Sequence, residues 1–173
     1  MTTDYSQLAI LKIRKYIIQE VHASGISLGS GAYPALFNSQ IPVVPLQQLP
    51  ETNELVLDKP FITYDFYQET QTDDAYWITP EVATFHVHAT DILQVVQLQN
   101  LLVDLFRRFD LAATDINTVS GYDTITILST EIEAQSGASK PEPATSESGR
   151  IVASLSILYT YTRSVKPNGR FAS

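Results

Sequence analysis

The sequence predicts an α+β fold, in which a mostly antiparallel sheet of about four strands packs against two helices. In two segments, residues 8–21 and 91–109, apolar side chains recur at three- and four-residue spacing, which is typical of amphipathic helices. In four other segments they alternate with polar side chains, which is typical of half-buried strands. A length of 173 residues with 44% apolar side chains suffices for one core. We therefore predict a single domain spanning residues 1–173.

The first helix is predicted over residues 8–21. Asp4 is placed to cap it, with Gln7 three residues later at capping-box spacing, and Gly25 is placed to end it. Residues 26–59 are predicted to form a long irregular arm, because glycines and prolines interrupt any period there. The arm carries too many large apolar side chains to remain fully solvated.

The middle of the chain predicts strands followed by a long helix. A short extended piece is expected within residues 41–46 of the arm. Residues 61–67 and 82–89 show the dense or alternating apolar pattern of strands, and we expect them to pair. The second helix is predicted over residues 91–109, with Asp91 as its N-cap.

Two further strands are predicted over residues 124–134 and 151–163, each with clean alternation. Residues 135–149 between them contain no large apolar side chain, so this segment is predicted to be a mobile loop protruding from a hairpin. A tolerated surface insertion and a segment that orders on a partner are both open interpretations of the loop. Residues 164–173 are predicted to be an irregular basic tail.

The composition excludes several classes of protein. Without cysteine there is no disulfide framework, thiolate zinc site or cysteine nucleophile. A net charge of −8 argues against a protein that coats nucleic acid, since that affinity comes from lysine and arginine. No apolar run is long enough to span a bilayer, and the amino terminus lacks a secretory pattern. We expect a soluble protein made in the cytoplasm, without membrane association.

The charge is distributed unevenly along the chain. Residues 51–133 hold fifteen acidic and three basic side chains, net −12, whereas residues 150–173 hold four basic side chains and no acid, net +4. A chance basic tail is one interpretation. The other is a complementary surface, in which the basic end of one copy contacts an acidic face of a neighbour. On that interpretation the predicted partner contacts are Arg150, Arg163, Lys166 and Arg170.

The search for catalytic chemistry yields only weak candidates. His86 and His88 point to the same face of a predicted strand, a spacing that some metal sites use. The remaining histidine, His22, has no sequence reason to join them, so a solvent-facing pair is the favoured interpretation. Asp65, Glu69, Asp73 and Asp74 are candidates for a divalent-ion or acid/base site, but scattered acids in turns are far more often solvated, which is the favoured interpretation. We predict no catalytic residue, no metal and no cofactor.

The order of elements is helix, arm, two strands, long helix, then two strands with a protruding loop. With the segments P-F-I-T-Y-D-F at 60–66, F-H-V-H-A-T-D at 85–91 and L-V-D-L-F-R-R-F at 102–109, this order resembles the tail terminator and tail completion proteins of tailed bacteriophages. The resemblance covers roughly three-quarters of the chain and is one of pattern rather than of invariant motif.

The resemblance implies a structural, non-enzymatic role in the virion neck, with the protein in the host cytoplasm during assembly. Such proteins form a ring, usually of six copies, which caps the tail tube and joins it to the head. The implied partners are other copies of the chain, the tail tube protein and neck or connector proteins, while DNA passes through the channel without specific binding. A head-completion protein of the neck and a small metal-binding enzyme using His86 and His88 are the alternatives.

Overall fold

The computed structural model describes residues 8–29, 32–46, 59–68, 78–108, 110–139 and 150–163. These contain three α-helices, one short 3-10 helix (Ala35–Phe37) and five strands. In chain order the helices and strands are α1 (Ala9–Ser24), β1 (Val43–Pro45), β2 (Phe61–Gln68), β3 (Thr79–Ala89), α2 (Ile92–Phe106), α3 (Asp110–Asn117), β4 (Ile125–Ser139) and β5 (Ile151–Arg163).

The strands form one mixed sheet in the order β1-β2-β3-β5-β4. The α+β class is confirmed, as is the antiparallel pairing of β2 with β3. The sheet has five strands instead of about four, because β1 joins one edge and runs parallel to β2. This strand is the extended piece expected within residues 41–46. It is anchored by the Ile62 amide, which donates a 2.9 Å hydrogen bond to the Pro42 carbonyl.

The predicted arm is only partly irregular. Besides β1 it contains the 3-10 helix, and Tyr33 is buried with its hydroxyl donating to the Pro60 carbonyl at 2.7 Å. The Lys59 ammonium lies 4.5 Å from the centre of the Tyr33 ring. The described parts of the arm are therefore packed onto the domain, as its apolar content required.

The long helix predicted over residues 91–109 is wrong beyond Phe106, where α2 ends and a separate helix, α3, follows. Its predicted N-cap is confirmed, because the Asp91 side chain accepts a hydrogen bond from the Leu93 amide at 2.8 Å. The sequence did not predict α3, which has eight residues and several weak helix formers. Tertiary contacts stabilise it: Ile116 is fully buried, and the Asn117 side chain bonds to both the amide and the carbonyl of Ile127.

Helix α1 begins at Ala9 without a side-chain cap, and its predicted capping pair, Asp4 and Gln7, lies outside the described residues. Its predicted end is confirmed: Gly25 has φ 69°, the left-handed conformation that glycine adopts without steric cost.

Strand β5 has the bounds that its alternation predicted, whereas β4 runs to Ser139 and not to residue 134. The first five residues of the predicted loop 135–149 are therefore part of a strand. Residues 140–149 and the predicted tail 164–173 lie outside the described residues. The extension lacks large apolar side chains, and hydroxyls bond it to β5: Ser136 Oγ lies 2.6 Å from Ser154 Oγ and accepts from the Ser154 amide.

The two faces of the sheet differ. Alternate residues such as Phe85, Leu155 and Ile157 are fully buried on the face that the helices cover. There Phe85 stacks on Phe106 of α2 at 6.2 Å, and Tyr16 of α1 meets Phe106 edge-on at 6.4 Å. None of the described helices packs on the other side, which we call the helix-free face. Within the described residues, no helix has the length and hydropathy needed to cross a membrane.

Candidate functional site

The two histidines predicted to share a strand face do so. His86 and His88 lie on β3 and point to the helix-free face, where both are half-buried. The two histidines are therefore less exposed than the solvent-facing pair that the sequence favoured. His88 in particular belongs to a packed cluster.

His88 is held on two sides by residues of β2. Its ring stacks on Phe61 with the centroids 4.5 Å apart and the planes 6° from parallel. Its Nε2 lies 3.0 Å from the Thr63 hydroxyl. Burial, followed by the positive charges of Arg150 and His86, lowers the pKa of His88 to about 4. The imidazole is therefore neutral at pH 7 and acts as a fixed polar group of the sheet.

A trough of about 360 Å³ crosses the strands beside these histidines. Its lining combines imidazoles, hydroxyls and apolar side chains drawn from the whole width of the sheet: Leu46, Thr63, His86, His88, Ser136, Val152 and Ser154. We call this surface the trough. Its hydroxyl rim is tied to the core, because the Gln99 side chain of α2 donates to the carbonyls of both Ser136 and Ser154.

Arg150 lies on the same face as the trough, beside His88. Its guanidinium carbon is 5.0 Å from the centre of the Phe61 ring, and the side chain is half-buried. Among the described residues it forms no ion pair with a carboxylate, and its buried Nε has no hydrogen-bond partner. Burial without a counter-ion lowers the pKa of Arg150. The cation is thus partly desolvated and has no ion-pair partner among the described residues.

The geometry of the described residues does not favour a metal centre. No group of three or more histidines and acids in this part of the chain is arranged to hold an ion. His22 is exposed near the end of α1, which packs on the opposite face of the sheet. Asp65 is half-buried on β2, and the other acids considered, Glu69, Asp73 and Asp74, lie outside the described residues.

A buried carboxylate that the sequence did not single out lies at the other end of β3 and β5. Glu81 is 8% exposed and accepts hydrogen bonds from the hydroxyls of Tyr159 (2.6 Å) and Tyr161 (2.7 Å). Burial, then the charge of Glu81 and the bond to it, raises the pKa of Tyr159 well above its usual value. The alternation of β3 could have predicted this burial, because Glu81 lies on the same face of the strand as the buried Phe85 and Val87.

Of the four basic residues predicted as partner contacts, Arg150 and Arg163 lie at opposite ends of β5, and Lys166 and Arg170 lie outside the described residues. The Arg163 guanidinium is 5.4 Å from the Tyr161 ring and donates to the Tyr161 hydroxyl at 3.2 Å. Arg150 and Arg163 are separated by the length of β5, so they do not form one continuous basic patch.

Two other surfaces are open to partners. The first turns of α2 expose three apolar side chains, Ile92 (51%), Leu93 (67%) and Val96 (37%), which we call the α2 apolar patch. Both edges of the sheet are unpaired within the described residues: the outer side of the fifteen-residue β4 and the side formed by the three-residue β1 with the end of β2.

No protein-family model matches this chain, and a search of curated proteins finds no match either.

Proposed function

We propose that the protein is a structural component of a bacteriophage virion that forms a homo-oligomeric ring, a hexamer, which caps the tail tube and joins it to the neck. The observation that carries the proposal is the pair of sheet edges, at opposite sides of the domain, that the described residues leave unpaired. An unpaired edge is a template for another strand, and proteins use such edges for assembly.

The two edges are unlike, and this supports a ring. β4 offers fifteen residues, whereas β1 pairs only with Ile62 to Tyr64 of its neighbour, and no other described strand pairs with this side of β2. Pairing the β4 edge of one copy with the β1–β2 edge of the next is a head-to-tail contact. Repeated contacts of this kind close into a ring when the rotation permits.

Side chains on the β4 edge favour a selective contact over indiscriminate aggregation. Glu131 and Glu133 are exposed there, and the register of β4 against β5 shifts at three places. Charges and irregular register are devices that limit which strands an edge accepts. Leu128, 39% exposed in the same strand, supplies apolar contact area.

The α2 apolar patch supports a second contact, with the tail tube or the connector. Three neighbouring exposed apolar side chains on one helix are costly in water and are typical of interaction surfaces. The acidic bulk of the chain suits a ring around DNA, because like charge opposes sticking to the phosphate backbone.

The test is assembly of the purified protein. Native mass spectrometry and negative-stain microscopy should show rings, and adding the protein to polymerising tail tube protein should stop tube growth. Leu128→Lys, which places a charge on the β4 edge, should abolish rings. Asn100→Lys, an exposed position on α2 away from the edge, is the matched control and should leave rings intact.

A strict monomer that leaves tube length unchanged would contradict the proposal. Rings that form equally well with Leu128→Lys would exclude the β4 edge as the contact. Labelling in assembled particles gives a separate check: a label found only on the portal side, away from the tube, would replace the capping role with head completion.

A further inference from the structure

We propose that the trough binds an extended acidic peptide segment of a partner protein, with a carboxylate of that segment paired to Arg150. This inference goes beyond ring formation, because the trough is formed by side chains on the helix-free face, whereas the proposed ring contacts are made by the backbone edges of β4 and of β1 with β2. It assigns a ligand class to a surface that the proposed ring does not use.

Arg150 is a cation without an ion-pair partner among the described residues. Arg150 is half-buried, its Nε is buried without an acceptor, and no carboxylate in the described part of the chain pairs with it. Removing a cation from water is unfavourable unless an anion compensates. The guanidinium carbon lies 5.0 Å from the centre of the Phe61 ring, and a guanidinium has five N–H donors with which it can bind a carboxylate.

The side chains of the trough beside Arg150 are held in place by contacts with one another. Thr63 fixes His88, the Phe61 ring stacks on its other side, and the Ser136–Ser154 hydroxyl pair forms the far rim. Side chains that are fixed before binding lose little conformational freedom when the partner arrives. The polar groups therefore form a preorganised surface.

The chemistry of the surface favours a peptide over a nucleic acid. The lining of the trough includes the apolar side chains of Leu46 and Val152 and no cation, Arg150 lies beside it over Phe61, and the whole chain carries a net charge of −8. A polyphosphate needs many cations, and the net charge would repel it. One carboxylate next to an apolar side chain, as in an acidic extended segment, matches both the charge and the lining.

The experiment measures binding of two blocked, fluorescently labelled hexapeptides by anisotropy: one of alternating leucine and glutamate, and one of alternating leucine and glutamine. The glutamate peptide should bind at least roughly tenfold more tightly, which corresponds to one charge-assisted hydrogen-bonded pair. Its addition should also shift the NMR signals of His86, His88 and Ser154 in the unmodified protein.

Arg150→Gln should remove the preference for the glutamate peptide, and Arg150→Lys should restore part of it. Arg163→Gln is the matched control, because Arg163 is also half-buried over an aromatic ring on the same strand, and it should keep the full preference. Equal binding of the two peptides, no binding, or unchanged preference in Arg150→Gln would each overturn the proposal. So would inorganic phosphate shifting the trough signals while the glutamate peptide leaves them unchanged.

Discussion

The two ends of β5 make an informative pair. Each carries a half-buried arginine over an aromatic ring, and in each the buried Nε has no hydrogen-bond partner. At the Glu81 end, Arg163 donates to the Tyr161 hydroxyl, which in turn donates to Glu81. At the Arg150 end, the neighbours are the neutral His88 and Phe61, and the described residues supply no carboxylate.

The comparison indicates that Arg163 and Arg150 have different roles, the first in stability and the second in binding. A cation linked to an internal carboxylate through a phenol helps to hold two strands together, so its removal should cost stability. A desolvated cation without an internal anion contributes little to stability and remains available to an external one. Four measurements test this contrast.

The largest effect is expected at the Glu81 end. Glu81→Leu leaves the buried hydroxyls of Tyr159 and Tyr161 without their acceptor, and each bond to a charged group is worth about 1.5 to 3 kcal/mol. We expect the free energy of unfolding to fall by about 3 to 5 kcal/mol in urea titration. Glu131→Gln, at an exposed carboxylate on β4, should change it by less than about 0.5 kcal/mol. A small effect of Glu81→Leu would show that the carboxylate does not hold this end together.

The next effect is a pH dependence at the Arg150 end. The pKa of His88 is about 4 in the folded protein, below the usual 6.5, so the unfolded chain binds the proton first. Stability from this residue is therefore complete above pH 6.5 and is lost as the pH falls towards 4. The loss is at most about 3 kcal/mol.

The measurement compares wild type with His88→Gln across this pH range, since carboxylates elsewhere also titrate there. The difference in unfolding free energy between the two should change by a large part of that value. His22→Gln, at an exposed position near the end of α1, should follow the wild-type curve. Parallel curves for wild type and His88→Gln would contradict the assigned environment of His88.

An intermediate effect is expected when only one bond to Glu81 is removed. Tyr159→Phe keeps the ring and deletes the hydroxyl that donates to Glu81 at 2.6 Å, so the unfolding free energy should fall by about 1.5 to 3 kcal/mol. Tyr122→Phe, at a half-buried tyrosine outside this cluster, is the comparison and should cost less. Equal losses in the two variants would mean that the carboxylate adds nothing to the Tyr159 bond.

The smallest effect is the direct comparison of the two arginines. Arg163→Gln should lower the melting temperature, because it removes the bond to Tyr161, worth about 1 kcal/mol. Arg150→Gln should change stability by less than about 0.5 kcal/mol or increase it, since it removes an unpaired desolvated charge. A larger loss for Arg150→Gln than for Arg163→Gln would reverse the contrast between the two ends.

The sequence predicted those parts of the fold whose patterns are long and regular. In β5, four buried side chains at alternate positions, Leu155, Ile157, Tyr159 and Tyr161, marked the whole strand. Helix α2 carried a sustained period and a recognisable cap at Asp91. Helix α3 was too short for periodicity to detect and is stabilised by tertiary contacts, such as those of Asn117 with Ile127.

The candidate site was predictable only in part, because its partners come from distant strands. The same-face placement of His86 and His88 followed from local alternation. The stacking of His88 on Phe61 depends on the register of β2 against β3, and the approach of Arg150 depends on β5 lying beside β3. Neither relation is encoded in the local pattern, so the buried and neutral state of His88 was not predicted.

The strand order also governs how the chain folds during synthesis. β5 is made after β4 but lies between β3 and β4, so until it leaves the ribosome those two strands have no neighbour to bridge them. Until then, the edges of β3 and β4 that β5 will later occupy are unpaired, and they can pair with the wrong strands. The five strands can form one sheet only once β5 has been synthesised, so we expect cooperative folding of the sheet to follow translation of the other described elements.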